Sequence, residues 1–157
     1  MKFKVAEDID APVGMVFVQM TDFTGFEADA RGRGADLRRV DNWTTAAVGV
    51  GWRGSVKVRS KTRAIASTVT TLTQDETLVV DSRIGGMDCN LEMMFVPLSA
   101  ERTRVAMTLE MKPDTLTARL ILQTLKLARG RVLQRMTGAL ARQGDAIEAD
   151  WRRKQRG

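Results

Sequence analysis

The C-terminal stretch of the chain constrains the fold most, because it is strongly helical in pattern and follows a long series of strand-like segments. Its apolar positions recur at steps of three and four residues, which is the spacing of one face of an α-helix. We therefore expect one long helix over residues 115–150, with this stripe packed against the rest of the chain. The stripe is apolar except at one position and consists of Ile121, Leu125, Ala128, Val132, Met136, Ala139, Gln143 and Ile147.

The segments before this helix predict a sheet preceded by short helices. Apolar residues from Phe3 to Ile9 alternate with polar ones, which is typical of a half-buried strand. Asp10 and Pro12 then predict a helix start, with Asp10 as the N-cap, and Asp22 can cap a second short helix. From Leu37 onward, Val- and Thr-rich segments separated by turn residues predict a succession of strands. The order favours an α+β chain in which a curved sheet grips the last helix.

The positive charge of the chain is concentrated in its C-terminal part. Residues 1–114 hold 15 basic and 16 acidic side chains, whereas residues 115–157 hold 10 basic and 3 acidic ones. We favour a solvated helix face followed by a basic tail over residues 151–157. The first alternative is weak contact with anionic lipid headgroups. We expect no nucleic-acid partner, because the helix lacks the aromatic residues and fold signatures of such surfaces.

Length and cysteine usage predict one domain in a reducing compartment. A chain of 157 residues has the size of a single domain, and no linker divides it, so we expect one domain over 1–157. Cys89 has no second cysteine to pair with. The N-terminus carries acids where a signal peptide is apolar, and no stretch has the length of a membrane span. The sequence therefore predicts a cytoplasmic protein.

The absence of histidine and tyrosine excludes several kinds of site. Without histidine there is no Ser-His-Asp or Cys-His nucleophile and no histidine-ligated metal. One cysteine cannot form a thiolate cluster, and neither the dinucleotide fingerprint nor the P-loop pattern is present. We therefore predict no metal and no cofactor.

Carboxylates remain as candidate catalytic groups. Strict alternation points Glu7 inward with the apolar residues of the first strand, where a buried carboxyl could act as a general acid or base. We favour the alternative that Glu7 lies at a bulge, or near the strand end where it reaches solvent or an arginine. Glu92 and Glu110 have the opposite parity from the apolar residues of their strands. We therefore expect both to be solvated and to pair with side chains across neighbouring strands.

The apolar parity of the strands predicts the lining of an internal pocket. The chain contains nine methionines, and methionine is common at adaptable binding surfaces. The alternative is that these methionines only fill the core. The predicted ligand-binding residues are Trp52, Val56, Leu91, Met93, Phe95, Met107, Leu109, Met111 and Leu125.

The chain resembles the SRPBCC superfamily, which includes START lipid-transfer domains, pollen-allergen-type proteins and the polyketide cyclase/dehydrase group. The resemblance covers essentially the whole chain. It implies a helix-grip fold, with an antiparallel sheet of about seven strands around a long C-terminal helix, two short helices after the first strand, and an apolar cavity. It implies no shared catalytic set. The matching segments, in order, are Ile9-Asp10-Ala11-Pro12, Val16-Phe17, Thr21-Asp22-Phe23, Gly49-Val50-Gly51 with Trp52, Phe95-Val96-Pro97-Leu98 and Thr103-Arg104-Val105.

Three functional hypotheses follow. The first is binding or transport of a small hydrophobic ligand, such as a lipid, an isoprenoid or a polyketide-like molecule, which needs no reactive group. The second is a cyclase or dehydratase that uses cavity carboxylates such as Glu7 or Asp88. The third is an interaction protein that uses the leucine-rich start of the last helix for dimerisation or membrane contact. We favour the first, and the sequence leaves the question of catalysis open.

Overall fold

The computed structural model describes residues 1–43, 45–58 and 60–157. Its strands form one antiparallel sheet in the order β1-β7-β6-β5-β4-β3-β2. The elements are β1 (Lys2–Ile9), α1 (Val13–Met20), α2 (Phe23–Gly32), β2 (Asp36–Arg39), β3 (Gly51–Val58), β4 (Lys61–Thr73), β5 (Thr77–Ile84), β6 (Met87–Ser99), β7 (Arg102–Pro113), α3 (Leu116–Leu127) and α4 (Arg129–Arg156). The predicted helix-grip α+β fold is confirmed, with seven strands in the described residues and two short helices after β1.

The two short helices begin as the sequence indicates, but with one different cap. Helix α1 starts at Val13 with Pro12 in the N-cap position, so the expectation that Asp10 caps it is wrong. The N–H of Asp10 instead donates to Glu148 Oε1 at 2.9 Å, which ties the end of β1 to α4. Helix α2 is capped as expected, because Asp22 Oδ1 accepts from the N–H of Gly25 at 3.1 Å.

The long C-terminal helix is present, but Ala128 interrupts it. This residue has φ −99° and ψ 23° and ends α3, and α4 continues from Arg129. The buried stripe of α4 also differs from the predicted one, because Leu140 and Gly144 are buried, whereas Ala139 and Gln143 are exposed. A pattern that counts only apolar side chains overlooks a glycine in the contact.

Glycine at position 144 lets the backbone of α4 approach the sheet closely. A Cβ added at Gly144 would lie 3.1 Å from Cγ1 of Ile9, a fully buried residue of β1. Helix α4 packs mainly along β1 and α1, and α3 packs against β7. The inward side chains Leu91 and Leu109, which face each other across β6 and β7, remain only half-buried. This packing leaves space between α3 and the concave face of the sheet.

Candidate ligand-binding pocket

An apolar pocket of about 180 Å³ lies between α3 and the inward face of the sheet. This volume is below the roughly 300–1,000 Å³ of sites that hold drug-sized ligands, so it suits a small molecule or a short chain. The described lining residues are Val58, Arg63, Ile84, Gly86, Met87, Cys89, Met111, Ala118, Ile121, Thr124 and Leu125.

The turn between β5 and β6 positions α3 over this pocket. The N–H of Asp114 donates to the carbonyl oxygen of Gly86 at 2.8 Å. A Cβ added at Gly86 would collide with the side chain of Thr115, the residue that caps α3 by accepting from the N–H of Ala118 at 3.1 Å. The absence of a side chain at Gly86 therefore allows α3 to begin directly against the turn.

The residues predicted from parity occupy three different environments. Met111 and Leu125 line the pocket. Four others are half-buried outside its described lining, on the inward strand positions, namely Val56, Leu91, Met107 and Leu109. The remaining three are buried in the core, namely Trp52, Met93 and Phe95. A role in ligand binding stays a prediction for all nine.

The carboxylates considered for catalysis do not meet in this pocket. Glu7 is half-buried and pairs in register with Val105, on the inward row as its parity predicts. Val105 precedes Met111 by six positions on β7, which separates Glu7 from the pocket by about 20 Å at the rise of a strand. Asp88 is exposed, and its Oδ1 accepts from Nη1 of Arg83 at 2.6 Å.

The pocket lining includes the thiol of Cys89 and the guanidinium of Arg63, which differ in charge. Burial raises the pKa of the Cys89 thiol, and the nearby charge of Asp88 adds to this effect. The thiol is therefore neutral at neutral pH and a poor nucleophile. Arg63 carries the only charge among the described lining residues, which include no aspartate or glutamate. Its Nε is buried and has no hydrogen-bond partner in the described part of the chain.

A buried polar cluster, which the sequence did not predict, joins α2 to β2 and β3. The carboxylate of Glu27 is buried, and its Oε1 accepts from Trp52 Nε1 and from Arg39 Nη1, each at 2.7 Å. The guanidinium of Arg39 also lies over the Trp52 ring, 5.6 Å from its centroid, and Nε donates to Asp41 Oδ2 at 2.9 Å. Because these charges are paired with one another, we assign the cluster a role in stabilising the fold and not in binding a ligand.

The electrostatics of Asp41 support this structural role. Burial alone would raise the pKa of its carboxyl group, but hydrogen bonds from the backbone N–H groups of Gly51 and Trp43 and from Arg39 hold the pKa below its ordinary value. Asp41 therefore stays ionised as a partner of Arg39 at neutral pH.

The convex face of the sheet carries an open polar depression of about 690 Å³. Arg83 in this depression pairs with Asp88 and with Asp114, whose Oδ2 accepts from Nη2 at 2.8 Å. Hydrogen bonds to Asp114 and Asp88 raise the pKa of Arg83. These exposed charges satisfy one another, so the apolar pocket is the stronger candidate for a ligand site.

Metal-binding clusters and membrane-spanning helices are both absent from the described residues. No group of three or more aspartate, glutamate, cysteine or histidine side chains is arranged to hold a metal ion in residues 1–43, 45–58 and 60–157. Over the same ranges, no helix has both the length and the apolar character that crossing a bilayer requires.

Comparisons with known proteins find similarity in structure only. No protein-family model matches the chain, and no curated protein matches it either. The protein TTHA0849 from Thermus thermophilus has a TM-score of 0.69 at 16% identity, over 96% of this chain and 99% of that one. The Zhui aromatase/cyclase from Streptomyces sp. R1128 has a TM-score of 0.64 at 16% identity, over 90% of this chain and 94% of that one.

A START superfamily protein from Mycobacterium smegmatis is also similar, with a TM-score of 0.56 at 12% identity, over 85% of this chain and 95% of that one. Identities this low establish the fold and leave the ligand and any reaction open. The structural neighbours thus share the fold of this chain, which is the helix-grip fold that the resemblance in sequence implies.

Proposed function

We propose that this protein binds a small hydrophobic molecule in the pocket between α3 and the sheet. The observation that carries the proposal is a cavity of about 180 Å³ whose described lining is almost entirely apolar. Binding there draws on the hydrophobic effect, at about 0.8 kcal/mol for each buried CH₂ group. The volume favours a short acyl or isoprenoid chain, or a single ring, over a larger polyketide.

Binding without a reaction is the form of this function that we favour. Glu7 pairs with Val105 far along β7, Asp88 is exposed in an ion pair, and the Cys89 thiol is neutral. Glu7 and Asp88 lie outside the described lining of the pocket, and the Cys89 thiol within that lining is a poor nucleophile while it is neutral. We also propose a cytoplasmic location, in which the lone Cys89 remains reduced.

Filling the pocket should weaken the binding of a small neutral apolar probe. Ile121→Trp adds an indole to the pocket-facing side of α3, so we expect at least a tenfold loss of affinity for 1-octanol, measured by calorimetric titration. The matched control is Leu120→Trp, which adds the same group at a neighbouring position that is 58% exposed. Unchanged 1-octanol affinity in Ile121→Trp, together with a stability loss of roughly 1–3 kcal/mol, would mean that the site is packed core.

We propose, second, that the outer face of α3 contacts an anionic membrane surface. Leu116, Leu120 and Leu127 recur at helical spacing and are 74%, 58% and 91% exposed. Helix α3 contains two basic residues, Arg119 and Lys126, which are both exposed, and no acidic residue. A second copy docked face to face would bring these like charges together, whereas anionic headgroups would neutralise them. The charge therefore favours a lipid surface over a homodimer through this face.

Vesicle sedimentation tests this second proposal. The protein should bind phosphatidylserine-containing vesicles, should lose binding at high salt, and should bind phosphatidylcholine vesicles poorly. Replacing Leu116, Leu120 and Leu127 together by serine should weaken binding at least tenfold. The control replaces Val96 and Leu98, which are exposed on β6, by serine. Equal binding to both vesicle types, or a dimer that the triple variant dissociates, would contradict the proposal.

A further inference from the structure

We infer that the ligand of this pocket is an amphiphile whose carboxylate head group binds Arg63 and whose apolar tail lies against α3. The inference rests on the proposed function, since it names the chemistry of the molecule that would fill the same pocket. Its basis is the one cationic side chain in the described lining, which has a buried Nε without a hydrogen-bond partner.

The strand register directs Arg63 toward the interior. Arg63 pairs with Val56 of β3, and along β4 it has the same parity as the inward residues Ser67 and Val69, which are buried. The side chain packs beside the β5–β6 turn, where a Cβ added at Gly85 would lie 3.5 Å from Arg63 Cδ. Gly85 has φ +59°, a conformation that suits glycine, so this turn can pass close to the arginine.

Arg63 has no anionic partner among the described residues, in contrast to several other arginines of the sheet. Arg39 pairs with Glu27 and Asp41, and Arg104 pairs with Asp8. No salt bridge joins Arg63 to an acid among the described residues, and the described pocket lining contains none. A guanidinium stays charged at all relevant pH values, and a charge against an apolar wall is costly unless it is paired.

A carboxylate on the ligand would supply the anionic partner that Arg63 lacks among the described residues. Its two oxygens match the fork of guanidinium donors, and such charge-assisted hydrogen bonds are among the strongest in proteins. The tail can then extend over Met111, Ile121 and Leu125. A volume of about 180 Å³ equals the liquid-volume share of about six water molecules, which corresponds to a chain of roughly six to eight carbons.

Three probes built on eight-carbon chains test the inference on the full-length protein. Octanoate, 1-octanol and octyltrimethylammonium are each titrated directly into the protein by calorimetry. We expect octanoate to bind at least tenfold more tightly than 1-octanol, the range expected for a charged hydrogen bond, and the cation to bind least. Equal affinities for octanoate and 1-octanol would overturn the inference while leaving the hydrophobic site intact. If neither octanoate nor 1-octanol binds, the proposed function itself fails.

Two substitutions assign the preference to Arg63. Arg63→Gln should bring octanoate to the affinity of 1-octanol and leave 1-octanol within about twofold of wild type, because only the head-group contact is lost. Arg63→Lys keeps the charge and should retain part of the preference, and it serves if the glutamine variant does not fold. The control is Arg53→Gln, an exposed arginine on β3. A preference that survives unchanged in Arg63→Gln would overturn the assignment.

Discussion

A chain that ends at Pro113 should show no cooperative unfolding transition in circular dichroism. The truncation removes α3 and α4 and with them Leu140 and Ile147, whose side chains belong to the same buried cluster as Ile9 and Val105. Each large apolar side chain returned to water costs about 1.5–3 kcal/mol. Exposure of several such residues exceeds the roughly 5–15 kcal/mol by which a domain of this kind is stable.

The matched control for this truncation is a chain that ends at Trp151. Trp151 is partly buried against the core cluster, whereas the tail beyond it is exposed, so loss of the tail alone should shift the melting temperature by only a few degrees. If the chain ending at Pro113 melts as sharply as the full-length protein, α4 is not part of the core and the helix-grip account of its stability is wrong.

The main elements of this fold are predictable because each rests on a local signal. Asp22 and Thr115 cap helices through side chains that reach the next turn, and alternation marks the strands. The interruption at Ala128 has no comparable signal, since neither proline nor glycine occupies that position. The contact of Gly144 with Ile9 depends on how α4 crosses β1, which a one-dimensional pattern does not contain.

The candidate site is predictable only in part, because parity tells which face a residue occupies and not what covers it. Met111 and Trp52 both point inward, yet α3 leaves space beside Met111, whereas α2 packs Phe23 against Trp52 at 5.5 Å between ring centroids. Arg63 shares the parity of Val69, so alternation could have identified it, but an arginine in a strand is ordinarily assumed to face solvent. The Glu27–Arg39 pair joins two elements and carries no periodic signal at all.

Glu27→Ala should lower the free energy of unfolding by about 3 kcal/mol. It removes the acceptor of the buried Trp52 Nε1–H and one anionic partner of Arg39. Breaking a buried ion pair from one side costs about 3–5 kcal/mol, because the remaining charge stays buried and unpaired. We expect the lower end of this range, since Arg39 retains Asp41 at 2.9 Å and keeps 20% of its side chain exposed. Urea denaturation with an unchanged slope measures the difference.

Two further variants separate the hydrogen bond from the charge. Glu27→Gln keeps an oxygen that can accept from Trp52 Nε1 but no longer neutralises Arg39, so its cost should fall between wild type and Glu27→Ala. Asp29→Ala, two positions along α2, removes an exposed pair with Arg33 and should change stability by less than about 0.5 kcal/mol. Equal losses in Glu27→Ala and Asp29→Ala would show that the buried cluster does not fasten α2 to the sheet. A larger loss at Glu27 alone would instead identify this cluster as what holds α2 over Trp52, independently of any ligand in the pocket beneath α3.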